Sequence, residues 1–449
     1  MRSDRRRIRS VILLAVLCLC LTVCGCSGNG NALAFWQNHN EVDDSDTEDK
    51  IKLSVWAFFD ENTPGTYYVD LWQELEEEFG YDIELKTYST EQIKDKLKIA
   101  LVCDELPDVF VVWGGNYPNF LFDANACVPV EQYLENADFQ FKDSYVEPYK
   151  DGHNYIIPCL VEAYAVTYCN QNLLREMDLT MPQNWQELLD MVEQVNEYNQ
   201  THGTSYAALE LGDKDLWLAE LLYTVLVNCE DPYAQEKLVA GTIDFSDPIF
   251  RQAAEKLMQL VDMGAFSDKF LETGEVEAVQ NFAEGKAVLL PHQSTIVFHL
   301  MDEMGKDALS VEQFPGYIQK PADAEKYMVN INHTLTPGLC ISSDSQYQNE
   351  AAQLCLEFAK RVNERNVEQY DYLDMIQNSG LTAPENSPLA VQQFHMQIDQ
   401  SERYTPLWYA VMEEDDGDNW RNLIKKLLGK AITVDEFVES AQQYMKFTN

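Results

Sequence analysis

Two tryptophans and one glutamate stand where their side chains can do chemistry. Trp56 closes the run KLSVW, Trp113 closes DVFVVW, and Glu162 lies inside the apolar stretch YIIPCLVEAYAV. An indole offers a flat apolar face to the C–H surface of a ring-shaped, hydroxylated molecule, and a carboxylate accepts hydrogen bonds from its hydroxyls. A glutamate in an apolar run is costly inside a core without a partner, so Glu162 is expected to face a polar cleft. For either tryptophan the alternative is a place in the core. Ligands of open α/β sheets sit outside the carboxyl ends of the strands, which is where both rings fall. Asp60 and Asn116 follow in the adjoining loops, where a hydroxyl partner and ordinary loop polarity are equally good readings. The chemistry is recognition. There is no HExxH, GxSxG, SxxK or Walker loop, so no catalytic residue, cofactor or metal is expected. An acid pair of the glycosidase kind is the enzymatic alternative, because accidental carboxylate pairs are common in so acidic a chain.

Regular elements must hold these residues. Strand 52–56, a helix from Tyr67 to Phe79 ended by Gly80, a strand from Asp82 to Tyr88, a helix after Thr90 and a strand from Asp108 to Trp113 alternate as a parallel α/β layout. Residues 152–173 read as an extended crossover between two lobes, with Pro158 where the chain leaves a sheet and Glu162 in the gap. Beyond it, Asn184 and Glu187 resemble a capping box, and Asp247-Pro248 opens a further helix. A buried strand spans 287–290 and another 338–342; a long amphipathic helix follows from Tyr347. The acidic run 413–418 reads as a solvated loop.

At 449 residues the chain has room for two domains with real cores. Its net charge of −43 argues against nucleic acid and against direct docking on anionic lipid. Five arginines precede an apolar run, 11–23, too short to span a membrane, the pattern of a secretory signal. It ends in Val23-Cys24-Gly25-Cys26, which resembles the bacterial lipobox and implies a lipidated Cys26; plain secretion with cleavage near Ala34 is the alternative. Residues 26–50 are too polar to bury much surface and read as a flexible tether. The seven cysteines beyond the leader are scattered, odd in number and without CxxC, so buried free thiols are expected.

Several segments fall in a familiar order. LPDVFVVW resembles the LPDV strand of extracellular solute-binding proteins that serve sugar ABC transporters. DGHNYIIP, YCNQNL and MPQNWQELL resemble that family's DGK-YGIP, YYNKDL and P-TWDEL block; NFAEGKAVLL and the helix after ISSDSQYQNEAA resemble two later segments. LSVWAFFDE, PDVFVVWGGN, LVEA and TPLWYAV look like the maltose-binding-protein-like branch. The resemblance implies a type II two-lobed α/β fold with crossovers near Pro158, Pro291 and Gly338 forming a hinge. It implies a first lobe from 51–158 and 292–338 and a second from 159–291 and 339–449.

By the same resemblance Asp60 and Asn116 would bind hydroxyls, Trp408 would stack on a sugar ring beside Tyr409, and Glu210 and Trp217 would lie in the second lobe's binding loop. Where the family often has a binding aromatic after the GKAVLL strand, this chain reads PHQSTIV, leaving His292 and Gln293 as hydrogen-bonding groups. Asn330-Ile331-Asn332-His333 likewise replaces a family Gly-Gly. These departures count against maltose itself and leave a carbohydrate in general. The implied molecule is a monomeric, membrane-anchored receptor on the extracytoplasmic face, tied to the membrane through its lipid alone. It would bind an oligosaccharide and hand it to permease subunits. A sugar-sensing or adhesion receptor uncoupled from transport is the alternative.

Overall fold

The parallel layout expected at the start of the chain is present. In the computed structural model, residues 50–57, 67–88, 90–115, 117–146, 148–331, 337–412 and 414–445 are described. β1 (Lys52–Ala57) leads through α1 (Tyr67–Phe79) to β2 (Asp82–Thr87), and through α2 (Thr90–Cys103) to β3 (Val109–Val112). β1 pairs parallel with both strands. Its Leu53, Val55 and Ala57 are buried and alternate with a more open face, whereas all four residues of β3 are buried. A run with no polar position is what a strand covered on both faces requires. Gly80 ends α1 in the left-handed region, φ +67°.

The stretch expected to be one crossover strand is two strands in two sheets. β4 (Ile157–Pro158) edges the first sheet, beside a later strand over 338–341, and β5 (Ala165–Asn170) is central in the second, between later strands over 287–293 and 309–312. Residues 159–164 cross between them. α3 (Trp185–His202) starts where Asn184 accepts the Glu187 N–H at 3.1 Å. β6 (Ala207–Leu209), α4 (Leu218–Glu230), α5 (Pro248–Asp262, capped by Asp247), α6 (Glu275–Ala283) and β7 (Ala287–Gln293) follow. β7 runs parallel to β6 and antiparallel to β5. Pro291 therefore marks no crossover. It sits inside β7 beyond the last β6 rung, Leu209↔Leu289, where its missing N–H breaks no pairing with that strand.

β8 (Leu309–Glu312) joins the second sheet beside β5, and β9 (Tyr327–Val329) pairs with 403–405. Only then does the chain return. β10 (Gly338–Ile341) runs antiparallel between β3 and β4, and α7 (Gln348–Tyr370) stacks Phe358 on Trp72 of α1 at 4.1 Å. A Cβ on Gly338 would stand 2.3 Å from Ile156 Cγ2, so only glycine allows this insertion. The expected lobe assignment is thus corrected. The part of 292–338 holding β8 belongs with the second sheet, and β10 with α7 belongs with the first. The third connection follows α7 and leads to α8 (Leu389–Gln400), whose Gln397 donates to the Val311 carbonyl of β8. α9 (Glu414–Leu428) and α10 (Val434–Tyr444) close the second half's core. Of the acidic run 413–418, expected as a loop, residues 414–418 open α9, where acids suit the positive end of the helix dipole.

Candidate functional site

The carboxyl ends of both parallel strand sets meet at the connections. Trp56 and Trp113 end β1 and β3; the segment 210–217 follows β6, and His292 and Gln293 end β7. Gln293 pairs with Ala165, the first residue after the crossover 159–164. On the other side Gly338 pairs with Val112, next to Trp113, and Cys159 donates to the Pro337 carbonyl at 3.2 Å. The two connections also touch directly, with Ile331 N–H on the Ala163 carbonyl at 2.7 Å.

In the first half Trp56 is half-buried, edge-on to Tyr88 with centroids 5.4 Å apart. Trp113 is half-buried, edge-on to Tyr117 at 6.2 Å, with Lys94 Nζ 5.4 Å from its centroid. Asp60, Asn116 and the lipidation candidate Cys26 lie outside the described residues.

Glu162 is half-buried in the crossover, as the cost of burying a lone carboxylate requires. The Tyr164 hydroxyl donates to Oε2 at 2.5 Å; the Glu162 N–H reaches the Tyr145 hydroxyl at 3.4 Å, and Tyr372 donates to the Glu162 carbonyl at 3.3 Å. Burial first, and the Glu162 charge second, push the Tyr145 and Tyr164 hydroxyls well above their usual range, so both stay protonated donors. Oε1 accepts no hydrogen bond from the described residues. Nothing in the spacing of these tyrosines, drawn from three separate segments, marks them in the sequence.

The second half is more polar. Trp217, half-buried, donates its indole N–H to Glu275 Oε2 at 3.1 Å and meets His292 edge-on at 5.2 Å. Gln293 reaches Glu275 Oε1 at 3.5 Å, and Asp215 accepts the Glu275 backbone N–H at 2.8 Å. Burial pushes Glu275 up to about 7, Trp217 pulls it down, and Asp215 raises it. His292 is fully buried and pushed down to about 3 by burial, so it is neutral. Tyr409 packs in one small cluster with Trp217 and Ala163 of the crossover. Its N–H donates to Glu220 at 2.8 Å, and the Arg421 guanidinium lies 3.8 Å from its ring centroid. Glu220 and Arg421 form a buried ion pair at 3.0 Å.

Two expected residues do not line this junction. Trp408 is fully buried among Phe245, Phe250 and Trp420, with centroids about 6 Å away. Consecutive residues of a tight turn point apart, so Tyr409 takes the open side and Trp408 the core. Glu210 is also buried, receiving the Ser267 hydroxyl at 2.8 Å, and burial pushes it up to about 7. Glu275 was missed because an acid in the first turn of a helix reads as a partner for the helix dipole. A separate concavity, between β5, α4 and β9, is lined by Thr167, Leu221, Asn228, Gln313, Tyr317 and Met328. It lies on the flank of the second half, contains none of the aromatic and acidic residues above and touches nothing of the first sheet, so we favour the junction.

The sequence over residues 70–361, more than half of the chain, matches the family model described as bacterial extracellular solute-binding protein. No curated protein matches. Many solved structures do. One, from work on xylan utilization by the thermophilic bacterium Caldanaerobius polysaccharolyticus, is 21% identical with TM-score 0.75, covering 88% of this chain and 99% of that one. A chitin oligosaccharide binding protein is 19% identical with TM-score 0.74, covering 88% and 98%. The solute-binding protein RafE in complex with raffinose is 17% identical with TM-score 0.66, covering 88% and 98%. At these identities the likeness is one of fold.

Proposed function

Because this chain belongs to the bacterial extracellular solute-binding protein family, we propose that it is the carbohydrate receptor of an ABC transporter, closing over an oligosaccharide at the junction of its two halves. The carrying observation is that half-buried aromatic rings lie on both sides of the crossover that holds Glu162: Trp56 and Trp113 at strand ends of the first sheet, and Trp217, at the end of the loop after β6, with Tyr409 in one cluster with Ala163. Rings take the apolar faces of pyranoses, and Glu162 Oε1, Glu275 and Gln293 take hydroxyls. Xylan, chitin oligosaccharide and raffinose, named for the similar structures, support this class.

Closure is hinge bending at the connections. A ligand that touches both halves stabilises the closed form by its differential contacts alone. No bond is made or broken in this reading, and no cofactor is needed. A lipid on Cys26 would hold a monomer at the extracytoplasmic face, within reach of permease subunits. A thermal-shift screen of residues 50–449 against neutral oligosaccharides of xylose, glucose, galactose and N-acetylglucosamine tests the reading. At least one series raises the melting temperature by several degrees at millimolar ligand. A flat response to every series would remove it.

A further inference from the structure

One buried side chain in the second half is left unexplained by packing. His292 has no solvent exposure, and neither ring nitrogen has a hydrogen-bond partner. Buried polar groups without partners are rare and call for a reason. Its Nε2 lies 3.6 Å from Glu275 Oε1, a few tenths of an ångström beyond hydrogen-bond reach. Glu275 itself is not sealed in: its side chain keeps 30% exposure, and each oxygen has one protein donor, Trp217 for Oε2 and Gln293 for Oε1. A carboxylate oxygen accepts two hydrogen bonds, so one site on each oxygen is left for a ligand.

We propose that Glu275 is the specificity-determining acceptor of the second-half subsite, taking two hydroxyls of an uncharged sugar and excluding sugars that carry a carboxylate. This rests on the carbohydrate reading above. A shift of a few tenths of an ångström on ligand binding lets Oε1 take a His292 N–H in place of the long Gln293 contact at 3.5 Å, which satisfies the orphaned ring and still leaves one ligand site on each oxygen. Trp217 keeps the carboxylate oriented through its indole N–H and offers its face to the sugar. Exclusion follows from charge. Asp215 already stands against Glu275, His292 is neutral, and Arg421, against the Tyr409 ring, is committed to Glu220. A uronate entering here would be desolvated without a countercharge.

The groups facing Glu275 that titrate are Asp215 on the loop before α4 and His292 on β7; Glu277 shares its helix. Asp215 raises the Glu275 proton affinity, and His292 carries no charge above pH 4 or so, given its depressed value. Only the ionised carboxylate accepts two hydroxyls, so affinity rises as pH climbs through about 7, the value to which burial pushes Glu275.

The test is calorimetry on residues 50–449 with neutral tetrasaccharides of xylose, glucose and N-acetylglucosamine and with tetragalacturonate, at pH 6 and pH 8. Variants are Glu275→Gln and, as a helix control, Glu277→Gln. The wild type is expected to bind a neutral member several-fold more tightly at pH 8 than at pH 6, and to reject the uronate. Glu275→Gln loses about ten- to a hundredfold at pH 8, loses the pH dependence and narrows the gap to the uronate, while Glu277→Gln behaves as wild type. A neutral sugar bound equally well by wild type and Glu275→Gln at both pH values overturns the subsite and leaves the carbohydrate reading standing. If no sugar binds the wild type, both fall together.

Discussion

The rings of the two halves are held by different forces. In the first half Trp56 leans on Tyr88, and Trp113 on Tyr117 beneath Lys94, contacts worth roughly 0.5–1.5 kcal/mol each that allow a ring to shift. In the second half Trp217 is hydrogen-bonded to Glu275, and Tyr409 is pinned through its backbone to Glu220, whose partner Arg421 lies against its ring. Buried, charge-assisted bonds do not yield so easily. On our reading one half presents a fixed surface and the other adapts to what is laid on it.

The strongest way to break that contrast is Arg421→Met. It leaves Glu220, with no exposure, as an unpaired carboxylate and is expected to cost about 3–5 kcal/mol in urea unfolding at pH 7.5. An unchanged midpoint would mean that Tyr409 is not held by this pair. A smaller effect sharpens the boundary between site and core. Trp408→Phe opens space among Phe245, Phe250 and Trp420 and should lower stability by about 2 kcal/mol while leaving sugar affinity within twofold. A large loss of affinity at retained stability would return Trp408 to the site.

The first half was more legible in the sequence than the second. Apolar runs closed by tryptophan mark the carboxyl ends of β1 and β3, because strand period and burial are local properties. The placement of Glu162 followed from one cost, that of an unpartnered charge. Pro291 misled because a proline stops a strand only where its N–H is needed, and that depends on where β6 ends. Trp408 misled because two adjacent aromatics compete for one open side, and the core beneath decides between them. The tyrosines around Glu162 and the carboxylate of Glu275 come from distant segments, and only the folded topology assembles them. The exchange of β8 and β10 between sheets was hidden for the same reason: either short apolar strand fits either sheet.

The central claim is that both halves grip one sugar. Its most direct test is a calorimetric titration of the sugar found by the thermal-shift screen into Trp113→Ala, Trp217→Ala and the double variant. Each single change is expected to weaken binding by about 1–3 kcal/mol at unchanged melting temperature, and the double variant by at least the larger of the two. Full affinity in either single variant would show that its half does not touch the ligand, and would contradict the account.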